Sequence, residues 1–251
     1  MYYAESQNLL PPNLFGGQAG QTPTDTVHLL VNQIKGEWRK GKVVSALFLN
    51  IKGAFSNTVN EQLIHNLKTR QVPRKIVTYI ANMLHDRSTT LCFDDYVSSA
   101  IAINNGIGQG DPLSMALYQF YNADLIKIAN KDAREYAEAY IDNAIILAAA
   151  NTFEEAYEIL KDMIMRDRGT INWAKTHNSL FEYSKLALIN FAHFRCSLER
   201  LMLILPDITI TPTKSTKYLS IILDQNLNWK EQLAYIQEKG IKWAAQIWRA
   251  A

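Results

Sequence analysis

The sequence predicts an α+β domain. Two apolar runs of strand length, residues 43–49 and 144–150, stand among segments whose apolar residues recur at helical spacing. The two kinds interleave irregularly, with paired strands between helices, unlike a regular parallel strand–helix–strand array. With 251 residues, 48% of them apolar, the chain can bury a substantial core as one large or two modest domains.

Residues 1–24 are rich in Pro, Gly, Gln and Asn and read as a loop ending in a helix cap at Thr22 or Thr24. Val27, Leu30, Val31, Ile34 and Trp38 then predict a helix, closed by Gly41 before a buried strand over 43–49. Residues 59–67 and 73–84 read as helices, the second opened by Pro73 at a first-turn position. Residues 89–93 and 100–103 suit the strands of a hairpin whose turn begins near Asp94 and Asp95. Glycines between 106 and 110 punctuate a turn, after which Asp111 and Pro112 cap and start a helix to Ile128. Residues 137–141 and 144–150 flank Asp142 and Asn143, a pair suited to a two-residue hairpin turn. Beyond them, 153–173 reads as largely helical, 186–191 and 217–223 as extended, and 229–248 as helical.

Charge excludes little. Lys and Arg total 26 against 24 Asp and Glu, a balance of +2, too weak to announce a partner held by phosphate neutralisation alone. The basic clusters at 35–42 and 68–75 fit solvated faces of amphipathic helices. Cys92 and Cys196 lie outside any disulfide or zinc spacing and read as buried thiols in a reducing compartment. The longest apolar stretch, 144–150, is far below the roughly 18 residues a membrane helix needs, and no signal pattern opens the chain. An intracellular protein, nuclear or cytoplasmic, with no membrane partner is expected.

Three segments carry more specific information. ALFLNIKGAF (46–55) is an apolar strand whose end presents Asn50, with Phe55 five positions later. GIGQGDPLSM (106–115) is a glycine-rich turn leading into a helix, and AYIDNA (139–144) is a hairpin tip holding Asp142 beside Asn143. Asn172 with Trp173, the run 177–185 and the strand 218–224 follow in order. In order and spacing these segments resemble the palm of reverse transcriptases, nearest to non-LTR (LINE-type) retrotransposons of the kind found in fungal genomes, over roughly residues 10–245.

The resemblance implies a right-hand polymerase: a residual fingers segment over 1–42, a palm with fingers-side helices and hairpin over 43–226, and the start of a truncated thumb over 227–251. It implies RNA-directed DNA synthesis on an RNA template and DNA primer from deoxynucleotides, with two magnesium ions roughly 3.5–4 Å apart clamping the attacking and leaving oxygens. Oligomeric state stays unknown. Family members carry aspartates where this chain has Asn50 and Asn143, so Asp142 alone remains as a metal-binding carboxylate. The formal charge of the three positions falls from −3 to −1. By analogy with the loss of one preorganised electrostatic group, each change lowers the rate by roughly 10²- to 10³-fold, which predicts an inactive, degenerate copy. Asn143 also suits a hairpin turn for its own sake.

Other roles follow from the resemblance in the same way. Phe55 falls on the aromatic that selects deoxynucleotides by clashing with a 2′-hydroxyl, or is an ordinary core aromatic. Gln109 and Gly110 fall where side-chain and backbone amides meet template and nucleotide, or simply start a helix, and Tyr140 falls on the hairpin tyrosine. Lys185 falls on a lysine able to protonate the leaving pyrophosphate, or is an exposed lysine without a task. Gln18 and Gln21 stand where arginines are common and Ser220 where a glycine is usual, and a copy without the family's basic fingertip hairpin ahead of residues 8–15 is expected.

Overall fold

The computed structural model describes residues 1–193 and 201–250, so Cys196 lies outside the described residues. The chain opens with a short helix α1 (Tyr2–Ser6), strand β1 (Leu14–Phe15), helix α2 (Pro23–Arg39) and strand β2 (Val43–Lys52). Helices α3 (Asn60–Thr69) and α4 (Arg74–Leu84) lead to two small strand pairs formed by β3 (Arg87–Thr89), β4 (Cys92–Phe93), β5 (Tyr96–Val97) and β6 (Ile101–Ile103). Helix α5 (Pro112–Ile126) precedes the hairpin β7 (Glu135–Tyr140) and β8 (Asn143–Ala150), then helices α6 (Phe153–Met165) and α7 (Thr170–Thr176). Strands β9 (Leu180–Phe181), β10 (Ala187–Phe191), β11 (Leu203–Ile204), β12 (Thr209–Ile210), β13 (Ser215–Tyr218) and β14 (Ile221–Asp224) come before the long helix α8 (Lys230–Ala250).

The α+β expectation holds. A central sheet runs β1-β7-β8-β2-β10, with β9 also paired to β2. Neighbours are antiparallel except β1, which lies parallel to β7. Residues alternate between the faces of a strand, and β2 is apolar on both. Leu47, Leu49 and Ile51 enter one core with helices α3 to α6, whereas Val44, Ala46 and Phe48 enter a second with α2 and the β13–β14 hairpin. Cover on both faces explains why β2 and β8 read as continuous apolar runs. Alanines at 137, 139, 144, 148 and 150 line the first face and leave room for closely packed helices.

Local chemistry accounts for most boundaries. Thr22 caps α2 in a capping box with Asp25, with Pro23 in the first turn, and Gly41 stops the helix in a left-handed conformation at φ +71. Asp111 caps α5 by accepting from the Leu113 N–H at 2.9 Å.

Several expectations are corrected. Pro73 is the N-cap of α4, not its first residue. The helical stretch 153–173 breaks at 166–169, where Arg166 leaves helical geometry as C-cap and Arg168 takes a positive φ, giving α6 and α7. The hairpin expected over 89–103 is two nested pairs, β3 with β6 and β4 with β5. The extended segment 217–223 is a hairpin. Cys92 sits on the exposed β4, so it is not a buried thiol. The opening loop contains α1 and β1, which the polar composition hides. None of the helices among the described residues is long and apolar enough to cross a membrane.

Candidate active site

The pairing of β2 with β8 sets the site. Asn50, two residues before the end of β2, lies directly opposite Asn143, the first residue of β8, and Tyr140 lies opposite Asn143 on the other side. The two-residue turn is therefore Ile141–Asp142, one position earlier than expected. Asn143 belongs to the strand, so a preference of asparagine for turns does not explain its presence.

Three side chains form a hydrogen-bond chain. Asn50 Nδ2 donates to Asn143 Oδ1 at 3.1 Å, and Asn143 Nδ2 donates to Asp142 Oδ1 at 2.8 Å. The backbone reinforces it: the Ile51 N–H donates to the Asp142 carbonyl at 2.9 Å, and the Glu182 N–H to the Asn50 carbonyl at 2.9 Å. Burial pushes the Asp142 carboxyl above its ordinary range, opposed by its own backbone N–H, by Lys185 and by Asn143. Magnesium prefers several anionic oxygens in near-octahedral array. Here one carboxylate is joined by two neutral amides, the first donating to the oxygen of the second, a donor set that does not fit a pair of dications. No group of three or more His, Cys, Asp or Glu is placed to hold a metal among the described residues.

Of the other expected residues, Lys185 and Tyr140 are tied to this chain, the first by charge and the second by strand pairing. Lys185 ends a short turn after β9; its Nζ pairs with Glu182 at 2.7 Å, and its charge also reaches Asp142. Phe55 is half-buried at the core margin, with its ring 5.3 Å from that of Tyr118 on α5. Tyr140 is half-buried beside Gly16. Gln109 and Gly110 are exposed, and Gly110 holds φ +93 in open space. Their turn is stitched to the Phe55 segment, since Ile107 N–H donates to the Phe55 carbonyl at 2.9 Å and Gly106 N–H to the Thr58 carbonyl at 2.7 Å. Gly106 must be glycine: at φ +89, a Cβ there would stand 2.7 Å from the Ser56 carbonyl oxygen. Gln18 turns inward, donating to the Leu14 carbonyl and to Gln119 Oε1.

A sequence profile described as reverse transcriptase (RNA-dependent DNA polymerase) matches residues 3–223. The chain belongs to the reverse transcriptase family. It is 22% identical over 240 residues to a protein of Drosophila melanogaster described as "probable RNA-directed DNA polymerase from transposon X-element", covering 94% of this chain and 25% of that protein. It is 24% identical over 233 residues to the RNA-directed DNA polymerase of the mobile element jockey from the same organism, covering 91% and 25%. The chain thus spans about a quarter of the length of these curated relatives. Both are transposon polymerases, in keeping with a LINE-type reverse transcriptase domain. Among solved structures, the telomerase of Candida tropicalis in complex with a fragment of telomeric RNA superposes with a TM-score of 0.60 at 10% identity, over 82% of this chain and 32% of that one. The apo form gives 0.59 at 9% identity over 90% and 38%. At such identity the likeness is one of fold. Reverse transcriptases use divalent metal ions, which makes the single carboxylate at the β2–β8 junction the most informative feature of this member.

Sequence reasoning missed residues of α5 and β7 that frame the hairpin tip. Asn122 on α5 is fully buried and donates through Nδ2 to the Ile141 carbonyl at 2.8 Å. Tyr118, one turn earlier, has a buried hydroxyl without a hydrogen-bond partner among the described residues. Burial and then the charge of Asp142 push its phenol well up. Glu138 on β7 is completely buried, and neither of its carboxyl oxygens has a partner among the described residues. For Asn122 and Glu138 the available signal was a polar side chain between apolar immediate neighbours.

Proposed function

We propose that this chain is a reverse-transcriptase domain whose nucleotidyl-transfer site has been replaced by an amide hydrogen-bond chain, so that it no longer polymerises DNA. The reading rests on the contact between Asn50 and Asn143, where the resemblance expects two metal-binding aspartates. An amide that donates into its neighbour lends no negative charge, and two magnesium ions beside Asp142 alone would repel each other with little compensation.

In this reading residues 1–42 belong to the fingers, 43–226 to the palm and 227–251 to the thumb. Asn50, Asp142 and Asn143 occupy the metal positions, and Lys185 the position of the acid for the leaving group. Phe55, Tyr140, Gln109 and Gly110 line the nucleotide side. RNA template and DNA primer are the partners, met inside the cell in nucleus or cytoplasm, and magnesium and deoxynucleotides bind weakly or not at all.

Primer extension on an RNA template, run beside a binding assay with the same duplex, tests the proposal. No extension at any magnesium concentration is expected. Template-dependent extension that vanishes with Asp142→Ala would overturn it in favour of a weakly active enzyme. Binding without extension would mark a module that keeps the groove without the chemistry.

A further inference from the structure

The hairpin tip is held in a conformation its own residues disfavour. Ile141 sits at φ +54, in the left-handed region, where a β-branched side chain is strained. Such a conformation persists only when the surroundings over-determine it. Three contacts do so here. The Ile141 N–H donates to the Phe15 carbonyl at 3.2 Å. Its side chain packs where Gly16 has none, for a Cβ on Gly16 would lie 2.7 Å from Ile141 Cγ1. Its carbonyl accepts from Asn122 Nδ2 at 2.8 Å.

Asn122 is the unexpected member. It lies among buried Gln119, Phe120, Tyr121 and Ala123 on α5, with 0% of its surface exposed, and its Oδ1 has no hydrogen-bond partner among the described residues. An apolar side chain would avoid that cost, so the use of the amide lies on its Nδ2 side. The bond it makes is to the peptide linking Ile141 to Asp142, the link that aims the Asp142 side chain at Asn143.

We propose that Asn122 is a positioning residue for the hairpin tip: by clamping the Ile141 carbonyl it holds the left-handed turn that sets where the Asp142 carboxylate stands. The residue acts through the backbone: among the described residues its side chain hydrogen-bonds only to the Ile141 carbonyl. What it does for a metal rests on the reading of Asn50, Asp142 and Asn143 given above; what it does for the turn does not.

The test uses the full chain labelled at isoleucine and asparagine, with the φ angle of Ile141 and the resonances of Asn143 read by NMR. Asn122→Leu, which keeps bulk and loses the donor, is expected to release Ile141 from positive φ and to shift the Asn143 side-chain amide. Asn122→Ala gives the same readout if the leucine variant does not fold. Adding Ile141→Gly, which adopts the left-handed region without strain, is expected to return Asn143 to its original resonances. A residue that merely filled the core would not be rescued this way. Retention of positive φ at Ile141 and of the Asn143 resonances without Asn122 would overturn the proposal. A second arm measures magnesium affinity in the Asn50→Asp/Asn143→Asp chain, where losing Asn122 is expected to weaken binding by roughly tenfold, the low end for a group supporting a ligand. If that chain binds no magnesium with Asn122 intact, the damaged-metal-site reading falls, while the NMR arm still decides the clamp.

Discussion

Asn50 and Asn143 are directly opposed on neighbouring strands, and the side-chain amide of the first donates to that of the second at 3.1 Å. Converting both to aspartate places three carboxylates at the tip. Without metal the double variant is expected to lose about 1 kcal/mol to like-charge repulsion, lowering Tm by roughly 2–4 °C. Magnesium should restore the loss and bind far more tightly than to either single variant, because the ions need the anionic oxygens in common. Isothermal titration and melting of the four chains of the cycle read both effects. A double variant that binds magnesium no better than the original would sink the idea of a damaged metal site.

Glu138 supplies a prediction about pH. Burial without a partner pushes its carboxyl well above the ordinary value of 4.5, so the folded chain keeps a proton that the unfolded chain releases. Its contribution to stability is full below about pH 4.5 and is lost as pH rises toward the folded value. Glu138→Met should stabilise the protein at neutral pH by about 1–3 kcal/mol and flatten this part of the pH profile. Urea unfolding at a series of pH values checks it, and a destabilised Glu138→Met would show that the carboxyl has a partner worth keeping.

His177 works in the opposite sense. It is buried between α3, α5 and α7, its Nδ1 3.0 Å from the Trp173 carbonyl and its Nε2 3.4 Å from Asn66 Nδ2. Burial lowers its pKa from the ordinary 6.5, outweighing the Trp173 carbonyl and Asp124, which favour the charged form. The neutral ring therefore stabilises the fold above about pH 6.5, and that stability drains away as pH falls through the folded value. His177→Gln should remove this slope, measurable by unfolding between neutral and mildly acidic pH. An unchanged slope would assign the acid sensitivity elsewhere.

The β13–β14 hairpin turns on Leu219 at φ +47 and Ser220 at φ +69. Two successive left-handed residues suit Asn-Gly far better than Leu-Ser. Ser220→Gly should stabilise the chain by about 1 kcal/mol, the steric cost removed exceeding the added freedom of the unfolded chain. Thermal melting gives the answer, and a lower Tm would mean that the serine side chain holds the turn.

Much of this protein is legible in its amino-acid order because the cues are local. The capping box at Thr22, Asp111 with Pro112, and the apolar runs of β2 and β8 each specify an element through the nearest few residues. The same cues place Asp142 in the hairpin turn and Asn50 late in a strand, but put Asn143 in the turn where it in fact opens β8. What the tertiary structure alone decided depends on partners far along the chain. The register Asn50↔Asn143 joins residues 93 apart, and it turned two asparagines of the sequence into one hydrogen-bonded pair. The turn moved to Ile141–Asp142 because Phe15, Gly16 and Asn122 hold a strained isoleucine that propensity would refuse. Short-range preference is written residue by residue, but a cost accepted at one position is intelligible only beside the distant groups that offset it.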